Sequence, residues 1–323
     1  MVNTIFVEKY RPKTLDMIVG QPHIIPLLQG FVKNKDIPHI LFNGPAGCGK
    51  TTTAQALARE LYGKEWKNYF LELNASDSRK LEDVRTKIKD SARIKVIGQD
   101  FKIIFLDEVD SMDRLGQNAL RRIMEQTSDK CRFILSCNWS NKIIEPIKDR
   151  CVIFRFRHIK PEDMSIMLKN IAREENIDIT PSAVMCLATL SNGSMRSALN
   201  TLNQLKLSNI TNINDEVIYN NSCYVNDDHV RTLLVAVKKG NIETVDNFMN
   251  KLLNEKTYAP SEVIESLRRL IKGSKVLSQQ AKIKALMEIG DVDFRIMMGA
   301  TADIQLKTYA VYLMDLYQKE VKE

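Results

Sequence analysis

Gly44-Pro45-Ala46-Gly47-Cys48-Gly49-Lys50-Thr51 fits G-x-x-x-x-G-K-[ST], a loop whose backbone N–H groups cradle the phosphates of a nucleoside triphosphate. In such a loop Lys50 reaches the β- and γ-phosphates and the Thr51 hydroxyl sits on Mg2+. The flanks agree with that setting. Residues 39–43 read as a short apolar strand, and 52–62 as a helix with Ala54, Leu57, Ala58 and Leu61 at helical spacing. A helix N-terminus aimed at the loop adds its own partial positive charge. This stretch predicts ATP or GTP binding.

The chain has 323 residues, enough for two or three domains, with 44% hydrophobic and 27% charged residues, an ordinary globular balance. A net charge of +7 hints at a polyanionic partner without proving one. No apolar run approaches a membrane span and the first residues lack a signal-peptide shape, so an intracellular protein is expected. The six cysteines form no C-x-x-C pair and the four histidines are scattered, which argues against a His/Cys metal site. Cys131, Cys137 and Cys151 lie in apolar runs and are expected to act as small hydrophobes.

Outward from the loop, the first half alternates strands and helices. Strands are expected at 39–43, 68–74, 101–107, 131–137 and 151–156, with helices at 52–62, 79–93 and 114–125. That alternation predicts an α/β fold with a five-stranded, mostly parallel sheet and ligands at the carboxyl ends of its strands. From Pro161 the strand signal disappears. Helices are expected at 161–176, 181–190 and 194–207, then a polar boundary at 209–228 and about five further helices.

The third strand ends in Asp107-Glu108-Val109-Asp110. Acids at a strand tip suit Mg2+ chemistry: Asp107 would hold the metal with Thr51, and Glu108 would orient or deprotonate a water. Asn138, at the next strand's tip, could bond the γ-phosphate, although an Asn there is also an ordinary turn residue. Arg150 and Arg196 have the planar, permanently charged fork that suits a transferring phosphoryl group; either could equally be a surface ion-pair partner.

The order of these features resembles the clamp-loader AAA+ ATPases and, within them, the replication factor C small subunits. The resemblance rests on Glu8-Lys9-Tyr10-Arg11-Pro12, Ile18-Val19-Gly20-Gln21, the phosphate loop, Asn74-Ala75-Ser76-Asp77 and Ile104-Phe105-Leu106-Asp107-Glu108. It continues through the 119–125 stretch, Ser136-Cys137-Asn138, Asp149-Arg150-Cys151 and Gly193-Ser194-Met195-Arg196. It implies an AAA+ domain at 1–158, a helical lid at 159–225 and a helical oligomerisation collar at 226–323. Val7, Tyr10, Arg11, Pro12, Ile18 and Val19 are implied to wrap the adenine. Gly44, Pro45, Ala46, Gly47, Cys48, Gly49, Lys50, Thr51 and Thr52 are implied to hold the phosphates. Asp107 and Glu108 match the metal acid and base, Asn138 and Arg196 the two sensors, and Arg150 an arginine finger for a neighbouring subunit's ATP.

The implied function is an ATPase that opens a PCNA-type sliding clamp and loads it on primer–template DNA, with a large subunit and further small subunits as partners. A branch-migration type motor and a nucleotide-binding scaffold that does not hydrolyse ATP are the alternatives. The implied location is a prokaryotic, archaeal-like cytoplasm, or the nucleus in a eukaryotic host. Arg85, Lys89 and Arg93 form an i, i+4, i+8 basic stripe, with Arg79 and Lys80 before it. Such a stripe is ordinarily a solvated face; the resemblance makes it a track for DNA phosphates, read without sequence. Val96 and Ile97 fit either clamp docking or core packing. Asp149, where the family commonly has Ser, is expected to pair with Arg150 and restrain it.

Overall fold

The strands are apolar runs, and in the central three burial on both faces explains why. They are β1 (Ile40–Asn43), β2 (Phe70–Asn74), β3 (Lys102–Asp107), β4 (Cys131–Cys137) and β5 (Val152–Arg155). They form one parallel sheet in the order β2-β3-β4-β1-β5. Ile40 pairs with Ile134 on one side and Val152 on the other, so the strand that feeds the loop is central. This is a computed structural model, which describes residues 5–76, 86, 99–221, 227–255, 258–274 and 276–320.

Strand period two sorts the core. Phe42, Ile103, Phe105 and Ile134 join Leu28, Leu57 and Phe154 on one face. Leu41, Ile104, Leu106, Phe133 and Leu135 join Leu120, Met124 and Ile147 on the other. The first face is covered by α1 (Ile25–Asn34) and α2 (Lys50–Tyr62), the second by α3 (Arg114–Gln126). Cys131 and Cys137 are buried free thiols. Burial pushes their pKa up to about 11 and about 12, which keeps them protonated and inert.

The expected strand at 68–74 is corrected at its start. Gly63 (φ +63°) ends α2, and Trp66–Tyr69 forms a helical turn before β2 begins. The cause is local. At helical i, i+4 spacing Trp66 meets Phe70 with ring centroids 5.6 Å apart, while the Arg59 guanidinium lies 4.5 Å from the Trp66 ring centre. The helix expected at 79–93 lies outside the described residues, apart from Thr86.

The chain divides into two compact units, Met1–Asn214 and Asp215–Glu323. The first contains the sheet and three later helices, α4 (Pro161–Glu174), α5 (Pro181–Leu190) and α6 (Met195–Leu207). Thr180 and Ser194 cap α5 and α6 by accepting from Ala183 N (3.2 Å) and Ser197 N (3.3 Å). A single parallel bridge, Ile179 to Ile213, interrupts the expected all-helical run. The polar passage at 209–228 holds a further helix, α7 (Asp215–Asn221).

The second unit then runs through α8 (Asp227–Lys239), α9 (Ile242–Asn250), α10 (Pro260–Gly273), α11 (Gln279–Met297) and α12 (Ala302–Glu320). Its core joins Leu233, Val237, Met249, Leu267, Ile289 and Leu313, and the buried Tyr309 hydroxyl donates to Ala285 O at 3.0 Å. Among the described residues no helix is long and apolar enough to cross a membrane.

Candidate nucleotide site at the carboxyl ends of the strands

The loop after β1 is fixed by its neighbours. Gly44 N donates to Cys137 O (3.2 Å), and Phe156 N to Asn43 O (2.8 Å). Gly47 adopts φ +76°, and a Cβ there would lie 2.0 Å from Ser194 Oγ, so both backbone and space exclude a side chain. No side chain caps α2, so its first-turn N–H groups remain available to an anion. Lys50 is only 8% exposed. Its Nζ donates to Gly44 O (2.6 Å), Pro45 O (2.8 Å) and Asn138 Oδ1 (2.9 Å). Burial lowers the Lys50 pKa, opposed by Cys48, Asp107 and other acidic neighbours.

Thr51 Oγ1 donates to Asp107 Oδ2 at 2.8 Å. Asp107 Oδ1 accepts from Glu108 N at 3.0 Å. Glu108 itself is left-handed, φ +55°, a conformation costing a non-glycine residue on the order of 1 kcal/mol. Ser111 holds it there, its N and Oγ both donating to Glu108 O (2.9 and 2.7 Å). Asp110 stitches this turn to the tip of β4, accepting from Asn138 N (3.2 Å) and Trp139 N (3.1 Å).

The cleft spans about 930 Å3 with the solvent at its open mouth included. Lining it are Val7, Tyr10, Arg11, Pro12, Ile18, Val19, Ala46–Thr52, Asp107, Glu108, Asn138 and Arg196. Gly44 and Pro45 are not among the lining residues and serve as carbonyl acceptors for Lys50. Ile159, Met167, Met195 and Leu199, not expected from the sequence, also line the cleft; Ile159 lies between β5 and α4 and the other three on helices, and an apolar residue in either setting carries no local mark of a site. Asp110 was not expected either, although the acid run 107–110 marked it.

Arg150 is not among the lining residues. Its guanidinium pairs with Glu125 and donates to Pro146 O at 2.8 Å. The expected Asp149–Arg150 pair is thereby corrected: adjacent residues at a helix end point apart, whereas Glu125 arrives from α3. Arg79, Lys80, Arg85, Lys89, Arg93, Val96 and Ile97 lie outside the described residues.

The donor set suits a hard divalent cation carried in with phosphates. Thr51 and Asp107 offer oxygen ligands side by side, and Mg2+ binds through few carboxylates plus phosphate and water. Among the described residues no group of three or more His, Cys, Asp or Glu could hold a metal alone.

Comparison with known proteins agrees with this geometry. Residues 40–158 match the ATPase family associated with various cellular activities (AAA), and residues 225–311 match the replication factor C C-terminal domain. A parallel sheet with this loop and cleft is the architecture of that ATPase class. The replication factor C small subunit of Archaeoglobus fulgidus is 42% identical over 98% of this chain and 98% of its own length. That of Methanococcus vannielii is 43% identical, covering 93% and 95%. The chain belongs to the replication factor C small subunit family. The Thermotoga maritima RuvB Holliday junction branch migration motor shares the fold, with a TM-score of 0.52 at 18% identity over 80% of this chain and 85% of that one.

Proposed function

We propose that this chain is an ATP-hydrolysing subunit of a clamp loader, which opens a PCNA-type sliding clamp and loads it onto primer–template DNA. The observation that carries the reading is one cleft in which Lys50, Thr51, Asp107, Glu108, Asn138 and Arg196 converge beside an apolar wall. Whole-length relatives named as replication factor C small subunits give that cleft its setting.

In the proposed cycle Lys50 exchanges its carbonyl acceptors and Asn138 for the β- and γ-phosphate oxygens of ATP. Asn138 Oδ1 is then free to hold a water, and Glu108, fixed in its turn by Ser111, accepts that water's proton as the water oxygen bonds to the γ-phosphorus. The bond from that phosphorus to the β,γ-bridging oxygen breaks, the bridging oxygen leaving on ADP and the γ-group as inorganic phosphate. Bound Mg2+, held by Thr51 and Asp107, supplies neutralisation of phosphate charge. Val7, Tyr10 to Pro12, Ile18 and Val19 wall the base, and Arg196 carries the γ-phosphate state to the lid. Arg150 leaves Glu125 to serve a neighbouring subunit's ATP, so activity resides at interfaces and rises with clamp and DNA.

Arg79, Lys80, Arg85, Lys89 and Arg93 track DNA phosphates, and Val96 and Ile97 are candidates to meet the clamp. The proposed division is ATPase domain 1–158, lid 159–225 and collar 226–323. In the collar α11 exposes Ile283, Met287, Phe294 and Met297 at one-face spacing, an apolar stripe suited to neighbouring subunits. The archaeal relatives support a prokaryotic cytoplasm.

The test uses the chain assembled with its large-subunit partner, a PCNA-type clamp and primed DNA. ATP turnover should rise when clamp and DNA are both present, and Glu108→Gln should cut turnover by about 10²–10³-fold while ATP still binds. Stimulation by a four-way junction and not by the clamp would favour a branch-migration motor. Turnover unaffected by Glu108→Gln would leave a nucleotide-binding scaffold.

A further inference from the structure

The first residues of the cleft wall pack on a helix that follows the sheet. Residues 6–9 form a short helix packed on α6, and Phe6 is buried there, edge-on to Tyr10 at 5.7 Å between ring centroids. To this packing a buried carboxylate adds a polar fastening. Glu175, the residue that ends α4, is itself buried at 9% exposure. Its Oε1 accepts from Lys9 Nζ (2.6 Å) and Tyr10 OH (2.5 Å), and its Oε2 from Lys206 Nζ near the end of α6. Lys206 also stands over the Phe6 ring, 5.6 Å from its centroid. Both oxygens of this carboxylate are therefore engaged by a cation or a phenol from another element.

The same two helices supply the opposite part of the cleft: Met167 comes from α4, and Met195, Arg196 and Leu199 from α6. Tyr10, Arg11 and Pro12 are thus held by the far ends of the helices whose near parts carry Arg196 and the missed apolar contacts. We propose that Glu175 is a positioning residue for the nucleotide site, tying the 7–12 wall to α4 and α6 so that base contact and Arg196 belong to one rigid piece. It touches no nucleotide itself. The inference rests on the ATP reading above and adds to it a residue outside every motif that the sequence marked.

A base-wall role predicts a loss that depends on the base. Two ligands separate it from the alternatives: ATP, and inorganic tripolyphosphate, which fills the loop but has no base. In equilibrium competition against a fluorescent ATP analogue, on the full chain, Glu175→Gln should weaken ATP about tenfold. Tripolyphosphate affinity should stay within about twofold, and the preference for ATP over GTP should shrink. The gain from having the base attached, read as the ratio of the two affinities, is the quantity that a merely structural role would not move.

Lys206→Met, which leaves the carboxylate and Tyr10 in place, should shift that ratio in the same direction by less. If Glu175→Gln loses ATP and tripolyphosphate equally, or loses neither, the positioning role is wrong. Should the unmodified chain bind no ATP, the failure lies with the nucleotide reading. Lys206→Met, the milder change, provides the same ratio should Glu175→Gln unfold the unit.

Discussion

The two units use the same forces in opposite ways. Among the described residues, the first unit buries polar groups: Gln21, Lys50, Thr53, Gln117, Ser136, Glu175 and Ser191 are each less than a tenth exposed, against Ser266 alone in the second. Both units leave large apolar groups in solvent, Leu115 at 75% and Trp139 at 63% in the first, but the second lines them up on one helix, α11, with Met287 68%, Phe294 63% and Met297 78% exposed. Burying a polar group is costly unless it is fully bonded, and Lys50, Glu175 and Gln117 are bonded to partners on other elements. Leaving an apolar stripe bare wastes hydrophobic stabilisation unless another surface covers it.

The contrast is sharpest where it can be broken by substitution. Replacing Met287 and Phe294 together by Glu should weaken subunit association by about 100-fold, roughly 3 kcal/mol, read by sedimentation or mass measurement of the complex. The second unit's melting should be unchanged, because both side chains are exposed. A loss of folding with no loss of association would erase the distinction drawn here.

A smaller effect is expected at Gln117, which is buried and not among the residues lining the cleft. Its amide donates to Met112 O (3.1 Å) and Lys142 O (3.0 Å) and accepts from Ile144 N (2.9 Å). Gln117→Ala should destabilise the first unit by about 2 kcal/mol in urea titration, with ATP affinity unchanged. A change in affinity at constant stability would add Gln117 to the site.

The smallest effect is one of pH. His39 is held down to about 4, first by burial and then by Arg132 nearby; its Nδ1 accepts from Phe133 N, and Asp36 and Ser128 line the same hollow. Its stability contribution belongs to the neutral ring, so it is complete above the ordinary value of 6.5 and is lost as pH falls toward 4. At pH 5.5 that is about 1 kcal/mol. For Glu175, burial raises the pKa, but donation from Lys206, Lys9 and Tyr10 prevails and brings it down from 4.5 to about 2. Its contribution is present above 4.5 and is lost as pH falls toward 2, so it forms a second, more acidic step. His39→Asn, which keeps an acceptor for Phe133 N, should remove the first step from a stability-versus-pH curve and leave the second.

How much of this was legible depended on how local each cause is. The loop, the acids closing β3, the full span of β4 and the 181–190 helix could be read because spacing, caps and strand ends are written in consecutive residues. The 66–69 turn was missed because one pair of aromatic rings outweighed the extended pattern around it. Met167 and Leu199 were invisible as site residues, since a cleft wall and a core face have the same apolar spacing. Glu175 looked like one more charge at a helix end; only tertiary structure places Lys9, Tyr10 and Lys206 around it. Arg150 was singled out, but its partner came from 25 residues away.

One contact between the phosphate loop and α6 involves no side chain. Met195 N donates to Gly47 O at 3.1 Å. Alanine scanning is blind to such a link, because every residue but one keeps the donor. Proline is the exception, and position 195 is the first of a helix, where proline is readily accepted. Ser194 before it is already extended, at φ −97° and ψ 101°, as a pre-proline residue must be. The tie between loop and helix is thus written in the main chain, indifferent to what the side chain at 195 becomes, and removable by a single imino acid.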